Sequence, residues 1–169
     1  GHRRETFGKP FKEFCFALKD IAQNQKDIAI VYPLHLNPRV QKPAVEILGN
    51  VSGIYLIKPM DYLSFVYLMY KSYLIITDSG GIQEEAPTFG KPVIVTRDIT
   101  ERQEAVTAGL AKLVGPNRKA IVNEVILLLT NKIEYNKMSF SINPFGDGQA
   151  SSKIVDIICK SFNDNTLGS

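Results

Sequence analysis

Short apolar runs alternate with longer amphipathic stretches along this chain. Residues 27–33 (Asp27-Ile28-Ala29-Ile30-Val31-Tyr32-Pro33), 53–57, 72–77 and 92–96 read as strands buried on both faces. Residues 112–114 read as a last, shorter strand. Between them, residues 10–23 place Phe11, Phe14, Cys15, Leu18 and Ile21 on one helical face. Residues 37–48, 61–70 and 117–130 are also predicted helices, with Asp61 and an Asn at position 117 as N-caps. Pro38 suits the start of the 37–48 helix, while Pro43 removes a donor from its early turns. A shorter helical piece follows residue 130, and a helix over 149–162 closes the pattern. Strands separated by helices mean βαβ units and a parallel sheet covered on both faces. The expectation is an α/β, Rossmann-like lobe.

Composition narrows this picture. With 169 residues and 44% hydrophobic content, the chain is one domain or one lobe of something larger. Its net charge of +3 is spread out, with no run of lysines or arginines longer than two. A small phosphorylated ligand fits that balance better than nucleic acid does. No apolar stretch approaches the length of a membrane span and no signal peptide opens the chain, so a cytoplasmic protein is expected. The two cysteines, Cys15 and Cys159, sit among apolar residues in predicted helices and read as small core residues. There is no internal repeat, and residues 163–169 read as a polar, disordered tail.

The candidate chemistry lies at one junction. The apolar run Tyr73-Leu74-Ile75-Ile76 ends in Asp78-Ser79-Gly80-Gly81-Ile82-Gln83-Glu84-Glu85-Ala86-Pro87. A buried strand stops there in a glycine-rich turn and a helix starts at once. Free N–H groups and the positive end of a helix dipole converge at such a junction, and glycine lets an anion come close. A carboxylate about one turn on, Glu84 or Glu85, suits a sugar diol. The segment reads as a nucleotide cradle, although a tight turn with a serine cap accounts for the same glycines. The dense polar run His2-Arg3-Arg4-Glu5 precedes any predicted strand, yet such chemistry usually sits at a strand's carboxyl end. The expectation is a chain cut from a longer protein just after a strand.

Five motifs occur in order: His2-Arg3-Arg4-Glu5-Thr6-Phe7-Gly8, Tyr32-Pro33-Leu34-His35-Leu36-Asn37-Pro38, Thr77 through Pro87, Arg97-Asp98-Ile99-Thr100-Glu101-Arg102, and Asn143-Pro144-Phe145-Gly146-Asp147-Gly148. Together they resemble the C-terminal half of the non-hydrolysing UDP-N-acetylglucosamine 2-epimerases, over nearly the whole chain. The resemblance implies one lobe of a glycosyltransferase-B-like two-lobe fold, with the nucleotide sugar in the cleft between lobes. Residues 1–162 would be the UDP-binding lobe, with 149–162 as its closing helix and 143–148 as a hinge turn. The family inverts C2 of UDP-N-acetylglucosamine to give UDP-N-acetylmannosamine. It eliminates UDP to a 2-acetamidoglucal and adds it back, with no metal or redox cofactor. The acids that move the C2 proton lie on the N-terminal lobe, which this sequence lacks. The resemblance therefore implies a fragment that binds UDP weakly and turns over nothing, from a homodimeric parent serving surface-polysaccharide or cell-wall precursors.

The same resemblance assigns residues. Ser79, Gly80 and Gly81 match the diphosphate contact and Glu85 the ribose-binding glutamate. Glu84 points about 100° away around a helix and reads as solvated or structural. Arg102 matches an arginine close to the diphosphate, where a guanidinium fork suits paired oxygens. His2 matches a histidine set against the diphosphate, able to stabilise or protonate departing UDP, and is the one catalytic candidate; an expression-tag remnant is the plain alternative. Arg3 and Arg4 suit either the cleft or structural ion pairs. Phe65 matches a residue near the uracil, though an aromatic there is also ordinary core. Met60 stands where relatives often carry a polar residue. His35 faces the cleft end of the sheet and suits a structural role or the site wall. Arg97 and Glu101 read as a solvated loop. Two alternatives stay open: the nucleotide-sugar lobe of a glycosyltransferase, and a non-catalytic nucleotide-binding module.

Overall fold

The computed structural model describes residues 8–139 and 143–166. In chain order these form helix α1 (Lys9–Asn24), strand β1 (Ile30–Pro33), α2 (Pro38–Leu48), β2 (Ile54–Ile57), α3 (Tyr62–Lys71), β3 (Ile75–Thr77) and α4 (Gly80–Glu85). A 3-10 turn (Ala86–Phe89), β4 (Val93–Val95), α5 (Gln103–Thr107), β5 (Ala111–Leu113), α6 (Arg118–Thr130), α7 (Lys132–Ser139) and α8 (Ala150–Thr166) follow. The α/β alternation is as the hydrophobic pattern predicts.

All strand pairs are parallel. β1 pairs with β2 in the register Ile30↔Ile54, and β4 lies between β3 and β5, with Ile76↔Ile94↔Lys112 in line. The pattern predicts one sheet, but the described strands form two, of two and three strands. The division falls between β1 and β3, which line the two sides of a cavity of about 480 Å³.

Helices cover both faces. Ile94 of β4 points into a core built by α1, α2 and α6 through Phe14, Leu18, Val40, Leu48, Ile121 and Leu128. Its neighbours Val93 and Val95 point the other way, onto Ala86, Ala105 and Ala111. This alternation buries β4 completely on both sides, which is why its sequence is continuously apolar. Helix α1 earns its place through Phe11, Phe14, Cys15, Leu18 and Ile21, all buried along one stripe. Arg118 at the start of α6 forks onto Asp20 of α1 at 2.6 and 2.7 Å, tying the two helices together.

Helix starts follow their caps. Asn37 Oδ1 accepts from the Arg39 N–H at 2.9 Å, Asp61 Oδ1 from Ser64 at 2.9 Å, and the Asn at 117 from Ala120 at 3.0 Å. The hydrogen bonds from Ser64 hold the Asp61 carboxyl below its usual range. Pro43 stays inside α2, which continues unbroken to Leu48. Gly90, with φ of 62°, ends the 3-10 turn in the left-handed region and sends the chain into β4.

Three expectations need correction. Residues 103–107 form a helix that the pattern did not predict; it is short and buries one residue, Ala105. Helix α8 runs to Thr166, so the polar tail is helical beyond residue 162. Cys159 is exposed, unlike buried Cys15, whose thiol burial pushes up to about 12. The helix that carries Cys159 presents Ile154, Ile157 and Ile158 outward, with no element over them among the described residues. An apolar stripe therefore did not mean a covered one.

Candidate functional site

Loops leaving the carboxyl ends of β1, β2, β3 and β4 carry the candidate residues, and in open parallel sheets this edge is where ligands bind. The chain passes through α3 from the β1–β2 sheet to the β3–β4–β5 sheet, and the cradle follows β3, the first strand of the second sheet.

The cradle is held from beneath. The Ser79 N–H donates to Thr77 Oγ1 at 3.0 Å, fixing the turn as β3 ends. Ser79 then takes the N-cap position of α4, but its hydroxyl makes no cap bond. The serine-cap account of the turn is thus not what this side chain does. The first N–H groups of the helix, at Gly80 and Gly81, have no acceptor within α4. Glycine at 80 answers a need for space. A Cβ there would lie 3.0 Å from Glu101 Oε1 and 3.7 Å from the Arg102 guanidinium carbon. The 97–102 loop therefore folds directly against the cradle's backbone and brings a guanidinium to it.

A buried polar chain locks the two segments together. Gln83, fully buried, donates from Nε2 to the Ser79 carbonyl at 3.1 Å. Its Oε1 accepts from the Thr100 hydroxyl at 2.7 Å, and Thr100 is buried too. Thr100 Oγ1 in turn accepts from the Arg102 N–H at 3.1 Å, and the Thr100 carbonyl accepts from Gln103 Nε2 at 2.8 Å. Nothing in the local pattern of the sequence singles out Gln83 or Thr100. Buried polar residues with every partner supplied make a rigid seat.

Charged groups surround that seat. The Arg102 Nε donates to Glu84, so the glutamate read as solvated or structural is the ion-pair partner of the candidate phosphate ligand. Arg97 pairs with Glu101 at 2.5 Å within the loop. Glu85 turns back along the helix, with Oε1 3.9 Å from where a Gly81 Cβ would stand. Its Oε2 accepts from the Tyr62 hydroxyl at 3.2 Å. That bond, together with the carboxylate's charge, holds the Tyr62 hydroxyl above its ordinary pKa. Tyr62, at the start of α3, is a site neighbour that motif reading missed.

Met60 and Phe65 line the same cavity as Ser79 and Ile82. Phe65 is half-buried and Met60 exposed. His35 lines this wall as well, and its Nδ1 accepts from the Asn37 N–H at 3.1 Å. The structure thus brings Ser79, Gly80, Gly81, Glu85 and Arg102 to one turn, with Met60 and Phe65 on the adjoining wall. The catalytic candidate His2, with Arg3 and Arg4, lies outside the described residues. Asn143 Nδ2 donates to Thr88 Oγ1 at 2.9 Å, which fastens the predicted hinge turn to the 3-10 segment below the cradle.

A family model described as UDP-N-acetylglucosamine 2-epimerase matches residues 1–159. A UDP-N-acetylglucosamine 2-epimerase of Escherichia coli K12 is 58% identical over 158 residues, covering 94% of this chain and 42% of that protein. The crystal structure of a Neisseria meningitidis UDP-GlcNAc 2-epimerase bound to UDP-GlcNAc superposes with a TM-score of 0.90 at 47% identity. It covers 94% of this chain and 43% of its own. A Staphylococcus aureus MnaA–UDP co-structure gives a TM-score of 0.91 at 45% identity, covering 96% and 44%. The chain spans less than half the length of the relatives it matches. No helix among the described residues is long and apolar enough to cross a membrane.

Proposed function

Because the chain belongs to the UDP-N-acetylglucosamine 2-epimerase family, we propose that it is the UDP-holding lobe of an enzyme interconverting UDP-N-acetylglucosamine and UDP-N-acetylmannosamine. The observation that carries this reading is the Arg102 guanidinium packed over Gly80, at a helix start whose first N–H groups have no acceptor within the helix. A diphosphate seated there receives backbone donors from Gly80 and Gly81, the Ser79 hydroxyl, which makes no cap bond, and one guanidinium.

In this reading Glu85 accepts from the ribose hydroxyls, with Tyr62 orienting its carboxylate. Glu84 holds Arg102 in place until the phosphates compete for it. Phe65 packs against the uracil, and Met60 leaves recognition of the base edge to backbone groups. When the sugar–oxygen bond breaks, negative charge grows on the departing UDP. Fixed donors aimed at it stabilise that charge without having to reorganise. His2 supplies or shares the proton at that oxygen. The carboxylates that take the C2 proton belong to the other lobe, and the apolar stripe of α8 suits packing against it. A homodimer, a cytoplasmic location and a role in surface-polysaccharide precursors follow from the same family reading.

The test uses the parent protein with UDP-N-acetylglucosamine in D₂O. Deuterium at C2 of both epimers is the expected result. Unlabelled sugar, or sugar transferred to an acceptor, overturns the proposal.

A further inference from the structure

Taking the turn after β3 as a nucleotide seat with Glu85 at the ribose, we infer that Tyr62 is a positioning residue for ribose selection. It holds one oxygen of the Glu85 carboxylate and leaves the other to the sugar's hydroxyls, so the site prefers ribonucleotides to 2′-deoxyribonucleotides. The two neighbouring glutamates differ in their partners. Glu84 is committed to the Arg102 guanidinium. Glu85 pairs with no cation among the described residues, and a neutral phenol donates to it at 3.2 Å. A carboxylate offers about four acceptor sites, and the phenol takes one of them. The rest stay open to a neutral diol.

Local structure aims both partners. Asp61 caps α3, with Oδ1 accepting from the Ser64 N–H at 2.9 Å and Oδ2 from the Ser64 hydroxyl at 2.7 Å. The cap sets the first turn of α3, and Tyr62 is the first residue of that turn. Glu85 is the last residue of α4, and its side chain leans back towards the helix start, as helical side chains do. Oε1 comes to lie near Gly81, 3.9 Å from where a Cβ would stand. The side chain that glycine lacks leaves this oxygen open towards the cradle. The two carboxylate oxygens thus face different ways, Oε2 to α3 and Oε1 to the seat.

Packing accounts for little of the tyrosine's presence, since Tyr62 is 64% exposed. Its hydrogen bond to Glu85 and the carboxylate's charge raise its pKa, so the phenol keeps its proton and remains a donor. Without that donor, a glutamate at a helix end must give up rotamers before it can meet a ribose. With it, the carboxylate is already aimed, and the sugar's hydroxyls find a charged acceptor at a smaller ordering cost. A 2′-deoxyribose brings one hydroxyl fewer. A site arranged for a hydroxyl discriminates against ligands that lack it.

The test is calorimetric titration of the chain and two variants with UDP and with 2′-deoxy-UDP. The unaltered chain should bind UDP about tenfold more tightly, the size of one hydrogen bond to a charged group. Tyr62→Phe should weaken UDP by about fivefold and 2′-deoxy-UDP by less than about twofold, which cuts the preference to about threefold or less. Its unfolding midpoint in denaturant should not move, because the ring is exposed. Glu85→Ala should abolish the preference. If it does and Tyr62→Phe keeps the full preference, the positioning role is wrong while the ribose role of Glu85 stands. If Glu85→Ala keeps the preference too, or neither nucleotide binds, the nucleotide seat itself is misread and the role of Tyr62 falls with it. Equal affinity of the unaltered chain for the two nucleotides, or a Tyr62→Phe loss equal for both, likewise overturns it.

Discussion

Buried polar groups at the cradle and in the neighbouring slot, the cavity between β1 and β3, are satisfied very differently. At the cradle, Gln83 and Thr100 have their hydrogen bonds supplied within the fold, and the loop bearing Arg102 is fixed through them. In the slot, among the described residues, the buried Tyr32 hydroxyl has no hydrogen-bond partner and the facing edges of β1 and β3 are not paired. One region pairs its buried polar groups within the fold, and the other lies open between two sheets. A firmly held turn can thus sit beside a divided sheet, because its rigidity comes from its own polar chain and from β4.

Breaking the cradle should give the largest effects. Gly80→Val puts a branched side chain where Glu101 and Arg102 already crowd the backbone. UDP affinity measured by calorimetry should fall by about a hundredfold, roughly 2.8 kcal/mol. Gln83→Leu removes the acceptor of the buried Thr100 hydroxyl and the side-chain donor to the Ser79 carbonyl, which keeps the backbone N–H of residue 83. Denaturant unfolding should show a loss of about 1–3 kcal/mol, with UDP binding weakened as the loop loosens. Arg102→Ala removes one charged donor and leaves the backbone donors in place. It should weaken UDP by about tenfold without measurable change in stability, since its ion pair with Glu84 is partly exposed.

The slot should answer in the opposite sense. Tyr32→Phe deletes a hydroxyl that has no partner among the described residues, so the chain should keep its stability within about 0.5 kcal/mol or gain some. A large loss in the chain alone would show that the contrast between the two regions is wrong.

Much of this was legible in the sequence, for identifiable reasons. Continuous apolar runs mark β1 to β4, of which β4 is buried completely and the other three in part, and Asn37, Asp61 and the Asn at 117 mark helix starts because each caps one. The turn 78–87 was legible as a cradle because its glycines, serine and glutamates are adjacent in the chain. The pairing of Glu84 with Arg102 was not, since 18 residues separate them and only the fold makes them neighbours. Tyr62 and Thr100 were missed for the same reason. Helix α5 was too short to show a period. Cys159 was misplaced because an amphipathic stripe reports a wish for cover, and α8 finds none among the described residues. The break between β1 and β3 was invisible to a reading that places strands but not their partners.

The most direct test of the central claim is a UDP titration of the ¹⁵N-labelled chain followed by amide chemical shifts. The account predicts that the largest shifts fall between Ser79 and Glu85, led by Gly80 and Gly81, with Arg102 next. Shifts centred elsewhere, or none with millimolar UDP, would contradict it.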